Sequence, residues 1–320
     1  MDTAVPPDLT KRFASDLARL WPEGQRASRT LGLAVSGGPD SLALLLLAAA
    51  ALPGRVRAAS VDHGLRSESA GEAAMVARIC TALDVPHETL TVAVPVGNLQ
   101  RGARTARYGA LAEWCDRGGL GALATGHQLD DQAETLLMRL DRGSGLAGLA
   151  GIRPRGTVPG GALPLLRPLL GWRRAELAAV VAGAGIEPAC DPSNQDDRFD
   201  RARLRKALAA TPWLDPVMLA QSAAHLGEAE AYIEAAIASA WGQCVSHDGG
   251  SVRFLPGDSD FEAGEIARRI VVSLGGDASR ADAAALVERL RRGENASLGG
   301  VLARAAGGAW LFGPEPPRRS

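Results

Sequence analysis

An apolar stretch at 31–35 runs straight into Ser36-Gly37-Gly38-Pro39-Asp40-Ser41, and eleven leucines and alanines follow at 42–52. A buried strand, a glycine turn and an apolar helix in that order open a βαβ unit, which commits the region to a parallel sheet covered on both faces. The turn also has chemical capacity. Successive glycines can aim backbone N–H groups at one point where a helix begins, and the helix dipole adds positive potential there. Ser36 and Ser41 could add hydroxyl donors, and Asp40 is suited to Mg²⁺, which typically joins one or two carboxylates to substrate phosphates. The turn is not a Walker A loop, because its lysine is missing and no lysine occurs between Lys11 and Lys206. A P-loop kinase or GTPase is thereby excluded. Taken alone, an ordinary tight turn would read the same way.

The pattern repeats downstream. Strands are predicted at 56–61, 87–94 and 121–125, with helices at 67–83, 103–117 and 130–140 between and after them. Residues 143–161 are rich in glycine and interrupted by Pro154 and Pro159, which predicts a loop or lid. A helix at 172–184 and a basic helix at 198–208 follow, and the prolines around 211–216 mark a boundary. The expected domains are therefore 1–213, α/β with a parallel sheet, and 214–320, smaller and mainly helical. The second is predicted to hold helices at 218–241, 261–274 and 280–292 and a hairpin at 296–312.

Composition narrows the class. The chain is 46% hydrophobic and 22% charged, as globular proteins are, and its longest apolar run is too short for a bilayer, which takes about 20 residues. No signal-peptide core opens it, and Cys80, Cys115, Cys190 and Cys244 are scattered without metal-ligand spacing. A cytoplasmic protein with no membrane partner is expected. Net charge is −1, so indiscriminate nucleic-acid coating is excluded. The cations cluster locally instead, with Arg198, Arg201, Arg203, Arg205 and Lys206 within nine residues. Arginine pairs with phosphate bidentately, although a solvated helix face has the same composition.

Three further groups sit at predicted strand ends or helix starts. Asp62 and His63 follow the second strand. Gly126-His127-Gln128-Leu129-Asp130-Asp131 follows the fourth, and Asp131 and Glu134 share a helix face. Two carboxylates so placed could hold an amine or a metal, or could simply stabilise a helix N-terminus. Arg104 and Arg107 share another face and could offset charge at a phosphate in transfer.

Together these stretches resemble the N-type ATP pyrophosphatase superfamily, whose loop reads S-G-G-x-D-S, and within it the tRNA(Ile)-lysidine synthetases. The likeness spans 31–205 and rests on LAVSGGPDSLALL, VDHGLR, ARTARY, GHQLDDQAETLLMRLDRGSGLAGLAGI, RPLL and DPSNQDDRFDRARLR. Ala202 stands where the family often has asparagine, and the length matches the family's short forms. The resemblance implies a Rossmann-like, adenine-nucleotide-binding catalytic domain and a two-step reaction. ATP would adenylate the C2 oxygen of the wobble cytidine in a CAU-anticodon isoleucine tRNA, and the ε-amine of free L-lysine would displace AMP. It assigns ATP to Ser36, Gly37, Gly38, Pro39, Asp40, Ser41, Asp62, His63 and Gly126, and Mg²⁺ to Asp40. Catalysis falls to Asp40, Arg107, His127, Asp131 and Glu134. Lysine falls to Asp131, Glu134 and His127, with a carboxylate or the histidine taking its proton. Arg198, Arg201, Arg203, Arg205 and Lys206 are assigned to tRNA phosphates, the second domain is expected to touch tRNA, and a homodimer is compatible with this scheme.

Two rivals from the same superfamily are a tRNA thiolase, disfavoured by the scattered cysteines, and a small-molecule ligase or amidotransferase, disfavoured by the DPSN stretch and the basic helix. A nucleotide-binding module without catalysis would need only the loop.

Overall fold

The computed structural model describes residues 5–26, 28–62, 68–93, 99–189 and 200–316, and only the backbone of 68–70 and 99–101. It divides into two compact units, Met1–Gly227 and Glu228–Ser320.

In chain order the first unit contains α1 (Pro7–Leu20), β1 (Leu31–Ala34), α2 (Pro39–Ala51), β2 (Val56–Asp62), α3 (Glu68–Ala82), β3 (His87–Thr91), α4 (Leu99–Arg117) and β4 (Ala122–Thr125). It continues through α5 (Leu129–Asp141), α6 (Leu146–Leu149), β5 (Arg155–Thr157), β6 (Pro164–Leu166), α7 (Arg174–Gly183), α8 (Asp200–Ala209) and the start of α9 (Pro216–Cys244). Its sheet has the order β3-β2-β1-β4-β6-β5 and is parallel except for β5. Alternate strand residues supply two cores, as a period of two requires. Leu31, Leu33, Ala58, Ala122 and Ala124 join α1, α2 and α7, while Ala59 and Leu123 join Tyr108, Leu111 and Trp114 of α4. Helix α2 is buried from Ser41 through Ala48, which explains why it is apolar all round. Each of its leucines contributes about 1.5–3 kcal/mol by burial.

The chain leaves β1 toward β2 on one side and returns to β4 on the other. This change of direction opens a crevice beyond the carboxyl ends of β1 and β4, where ligands bind in sheets of this kind. Two elements differ from the sequence expectation. Helix α1 buries Phe13 and Leu17 against α2. The segment read as a loop or lid, 143–161, instead holds α6 and β5, and β5 pairs with β6 just beyond it through a turn closed by Val158 N–H donating to Leu163 O at 2.9 Å. The buried pair Leu165 and Leu166 draws it into the sheet.

The second unit holds the rest of α9, β7 (Val245–Asp248), β8 (Ser251–Phe254), α10 (Asp260–Ser273), α11 (Arg280–Arg291), β9 (Ala296–Leu298), β10 (Val301–Ala306) and β11 (Ala309–Pro314). Helices predominate, but they pack on a five-stranded antiparallel sheet, β7-β8-β11-β10-β9, of which the sequence announces only the last hairpin. Phe254 and Trp310 meet edge to face at 5.5 Å in its core, among Ile266, Ile270, Leu286 and Leu290. Among the described residues no helix is long and apolar enough to cross a membrane.

Candidate active site

The loop between β1 and α2 is built by local contacts. Gly37 has φ +86°, a conformation that strongly favours glycine. Pro39 occupies the first helical turn, where its missing N–H removes no bond. The Ser41 hydroxyl ties the turn together. It accepts from Ser36 N–H at 3.1 Å, donates to Gly38 O at 3.0 Å and lies 3.2 Å from Ser36 Oγ. Gly126, just past β4, backs onto this turn. A Cβ there would lie 3.0 Å from the Asp40 carbonyl and 3.1 Å from Ser41 N, so glycine is what lets β4 and α2 approach.

Asp40 begins α2 with its Oδ1 buried and without a hydrogen-bond partner among the described residues. Burial and the neighbouring Asp131 push its carboxyl up to about 6, against the pull of Arg174 and Arg205. A buried acceptor without a donor, raised toward neutral pH by other acids, fits a carboxylate that receives a cation. Among the described residues no trio of His, Cys, Asp or Glu could hold a metal unaided.

Helix α5 begins beside this loop. Gln128 accepts from Asp130 N–H at 2.5 Å, and Asp131 reaches back to accept from Gln128 N–H at 3.1 Å. Burial is the main cause that raises Asp131, and Glu134 adds to it. Glu134 is 1% exposed, and two guanidiniums hold it. Arg174 Nη2 donates to its Oε1 at 3.1 Å and Arg205 Nε to the same oxygen at 3.0 Å. Arg174 also lies 3.6 Å from Asp131, and its backbone N–H donates to Asp130 at 2.9 Å.

His127 faces the opposite charge. Burial first, then Arg167, Arg201, Arg107 and Arg104, drive its imidazole down to about 3, so it is neutral at any physiological pH. Its Nδ1 is 2.9 Å from Thr125 Oγ1. Arg104 and Arg107 both lie over the Tyr108 ring, at 5.0 and 5.3 Å. The crevice thus has an acidic wall of Asp40, Asp131 and Glu134 and a basic wall around His127.

The structure brings together Ser36, Gly37, Gly38, Pro39, Asp40, Ser41, Gly126, His127, Asp131, Glu134 and Arg205. Asp62 ends β2, and its carbonyl accepts from Val92 N–H. His63 and Arg198 lie outside the described residues. Arg201 and Lys206 are exposed on α8, and Arg203 pairs there with Asp200 at 2.6 Å. Arg205, grouped by sequence with the phosphate-facing cations, is turned onto Glu134 instead, since a carboxylate so deeply buried requires a counter-charge.

A family model described as a PP-loop domain matches residues 9–211. Over 313 residues the chain is 47% identical to the tRNA(Ile)-lysidine synthase of Novosphingobium aromaticivorans, covering 97% of this chain and 94% of the relative. The chain belongs to the tRNA(Ile)-lysidine synthase family. It is accordingly a ligase with an ATP-binding PP-loop domain. The Zymomonas mobilis tRNA(Ile)-lysidine synthase is 41% identical over 303 residues, covering 91% of this chain and 90% of that one. Among solved structures, the U34-tRNA thiolase NcsA from Methanococcus maripaludis superposes with a TM-score of 0.56 at 15% identity, covering 68% of this chain and 76% of that chain. That likeness shows the fold alone.

In this lysidine synthase family member, sequence reading missed Arg174. A signal was present. Arg173 and Arg174 stand at the N-cap and first residue of α7, where positive charge opposes the helix dipole. Cations there need acids from elsewhere, and Asp130, Asp131 and Glu134 are those acids.

Proposed function

We propose that this ligase joins L-lysine to C2 of the wobble cytidine in a CAU-anticodon isoleucine tRNA, at the expense of ATP and in the cytoplasm. In the first step the cytidine O2 attacks the α-phosphorus of ATP, the bond to the β-phosphate oxygen breaks, and pyrophosphate leaves. In the second, the lysine ε-nitrogen attacks C2, the C2–O2 bond breaks, and AMP departs with that oxygen.

The β1–α2 turn and the positive end of α2 would receive the leaving pyrophosphate. Mg²⁺ at Asp40, when bound, would neutralise phosphate charge. The basic wall of Arg107 and Arg104 would offset charge at the α-phosphate, with neutral His127 as a hydrogen-bonding group beside it. Asp131 and Glu134 would bind the lysine ammonium. The amine must lose a proton to attack, and His127, driven down to about 3, is a poor acceptor. Asp131, whose carboxyl burial raises, is the better candidate.

The observation that carries this reading is that α5 begins beside the β1–α2 turn, with Asp131 near enough to Asp40 to help raise its carboxyl. This supports reading phosphate loop and amine site as a single centre. A thiolase reading is weaker, because burial pushes Cys80 and Cys115 up to about 12 and keeps both as unreactive thiols. The test is incorporation of labelled lysine into CAU-anticodon isoleucine tRNA, expected only with ATP and Mg²⁺. Modification without lysine, or transfer of sulfur, would overturn it.

A further inference from the structure

The carboxylates assigned to the lysine ammonium are not vacant. Arg174 and Arg205 share Glu134 Oε1 at 3.1 and 3.0 Å, Arg205 Nη2 lies 3.4 Å from Oε2, and Arg174 reaches Asp131 at 3.6 Å. Asp40, the third carboxylate of this wall, is read as the Mg²⁺ ligand, so Asp131 and Glu134 are left to these two guanidiniums. An ammonium brought to the Glu134 oxygens would meet Arg174 and Arg205 already bonded there, and three cations crowded on one buried carboxylate are strongly unfavourable. One arginine must withdraw before an ammonium can be held at Glu134.

The two arginines are not equally anchored. Arg174 opens α7, whose Leu177, Val180 and Val181 are buried, and its own backbone N–H is bound to Asp130. Arg205 stands on α8, a ten-residue helix whose one buried residue is Ala202, and 36% of its side chain is exposed. The guanidinium fork fits phosphate as well as carboxylate, so exchanging one for the other preserves its bonding. Arg201 and Arg203 are exposed on the same short helix, which gives a polyanion several points of attachment.

We propose that Arg205 is a positioning residue that stands in for the substrate ammonium on Glu134 and is drawn away by tRNA phosphates on α8, so that lysine binds strongly only after tRNA. The proposal rests on the reading of Asp131 and Glu134 as the ammonium site. It imposes an order on the reaction. The amine is admitted when the cytidine is already present, and is kept from the α-phosphate of ATP before then.

The sign of one mutational effect tests this. Lysine binding is measured by calorimetry on the full chain, with and without CAU-anticodon isoleucine tRNA and in the absence of ATP. Wild type is expected to bind lysine about 10-fold more tightly with tRNA, as when about a tenth of the free enzyme is competent. Arg205→Gln is expected to bind lysine about 10-fold more tightly than wild type without tRNA, with little further gain from tRNA. In steady state its KM for lysine falls while its KM for tRNA rises. Weaker or unchanged lysine binding by Arg205→Gln overturns the proposal, since it makes Arg205 a lysine ligand or a purely structural group. Should Arg205→Gln fail to fold cooperatively, Arg205→Lys decides. Its tRNA-dependent tightening is expected to persist, and equal affinity with and without tRNA overturns the proposal. Glu134→Gln separates the two readings. It is expected to abolish lysine binding in both states, and retained binding would instead sink the ammonium site itself.

Discussion

The two halves of the crevice are built in different ways. The phosphate loop is made from neighbours, with Ser36, Gly38 and Ser41 bonded across three to five residues. The carboxylate wall is made from strangers, since Glu134 is 40 residues from Arg174 and 71 from Arg205. A site of the first kind is as rigid as its backbone. A site of the second kind depends on how three helices hold their charges, and it can change partners.

Four substitutions probe that contrast. Asp40 joins the halves, and Asp40→Asn has the largest expected effect, a loss of turnover of about 10³-fold or more. Stability should move the other way. The folded value of about 6 lies above the ordinary 3.8, so this carboxyl's contribution is fully present below the unfolded value and lost as pH rises through about 6. Urea titrations at pH 7.5 should therefore find Asp40→Asn more stable by about 2–3 kcal/mol, and near wild type at pH 4. With Mg²⁺ limiting, kcat/KM for ATP should fall as pH drops through about 6, because only the ionised carboxylate suits the Mg²⁺ proposed at Asp40. A stability loss at pH 7.5 would contradict this account of Asp40.

Gly126→Ala tests the local half. Its Cβ presses on the Asp40 and Ser41 backbone, and a displaced loop is expected to cost about 10²-fold in kcat/KM for ATP. If ATP use were unaffected while lysine use fell, the loop would not be the rigid part. Arg174→Met tests the distant half. It leaves Glu134 to Arg205 alone and should destabilise the fold by about 2 kcal/mol in thermal melts, with partial rescue by Arg174→Lys. An ATP KM that rose as far as in Gly126→Ala would show the two halves to be inseparable. The smallest effect belongs to His127→Gln. It should slow turnover about 10-fold and leave the pH limb near 6 in place, since the imidazole is neutral throughout. Disappearance of that limb would assign it to the histidine rather than to Asp40.

Much of the fold was legible because its signals are local. The apolar run at 42–52 could only be a buried helix, and the strand–turn–helix rhythm placed the sheet. Strands β1 and β4 are as short but read as apolar runs, whereas β5, β7 and β8 mix in polar or charged residues and β6 opens on Pro164, so these four escaped. Of the site, Asp40 and Glu134 were legible as residue types at motif spacing, whereas the partners of Glu134 were not. Arg205 looked like its exposed neighbours on α8, and nothing local marked it as turned inward.

The sequence by itself determined that a glycine turn meets a helix N-terminus after a buried strand, that no lysine serves that turn, and that Asp131 and Glu134 share a face. Backbone sterics and helical periodicity act over a few residues and need no knowledge of the rest of the chain. Only the tertiary structure decided that Gly126 must be small, that Asp40 is raised by Asp131, and that Arg174 and Arg205 meet on Glu134. These follow from burial and from charges converging through space, which are set by how α5, α7 and α8 pack and not by what precedes or follows each residue.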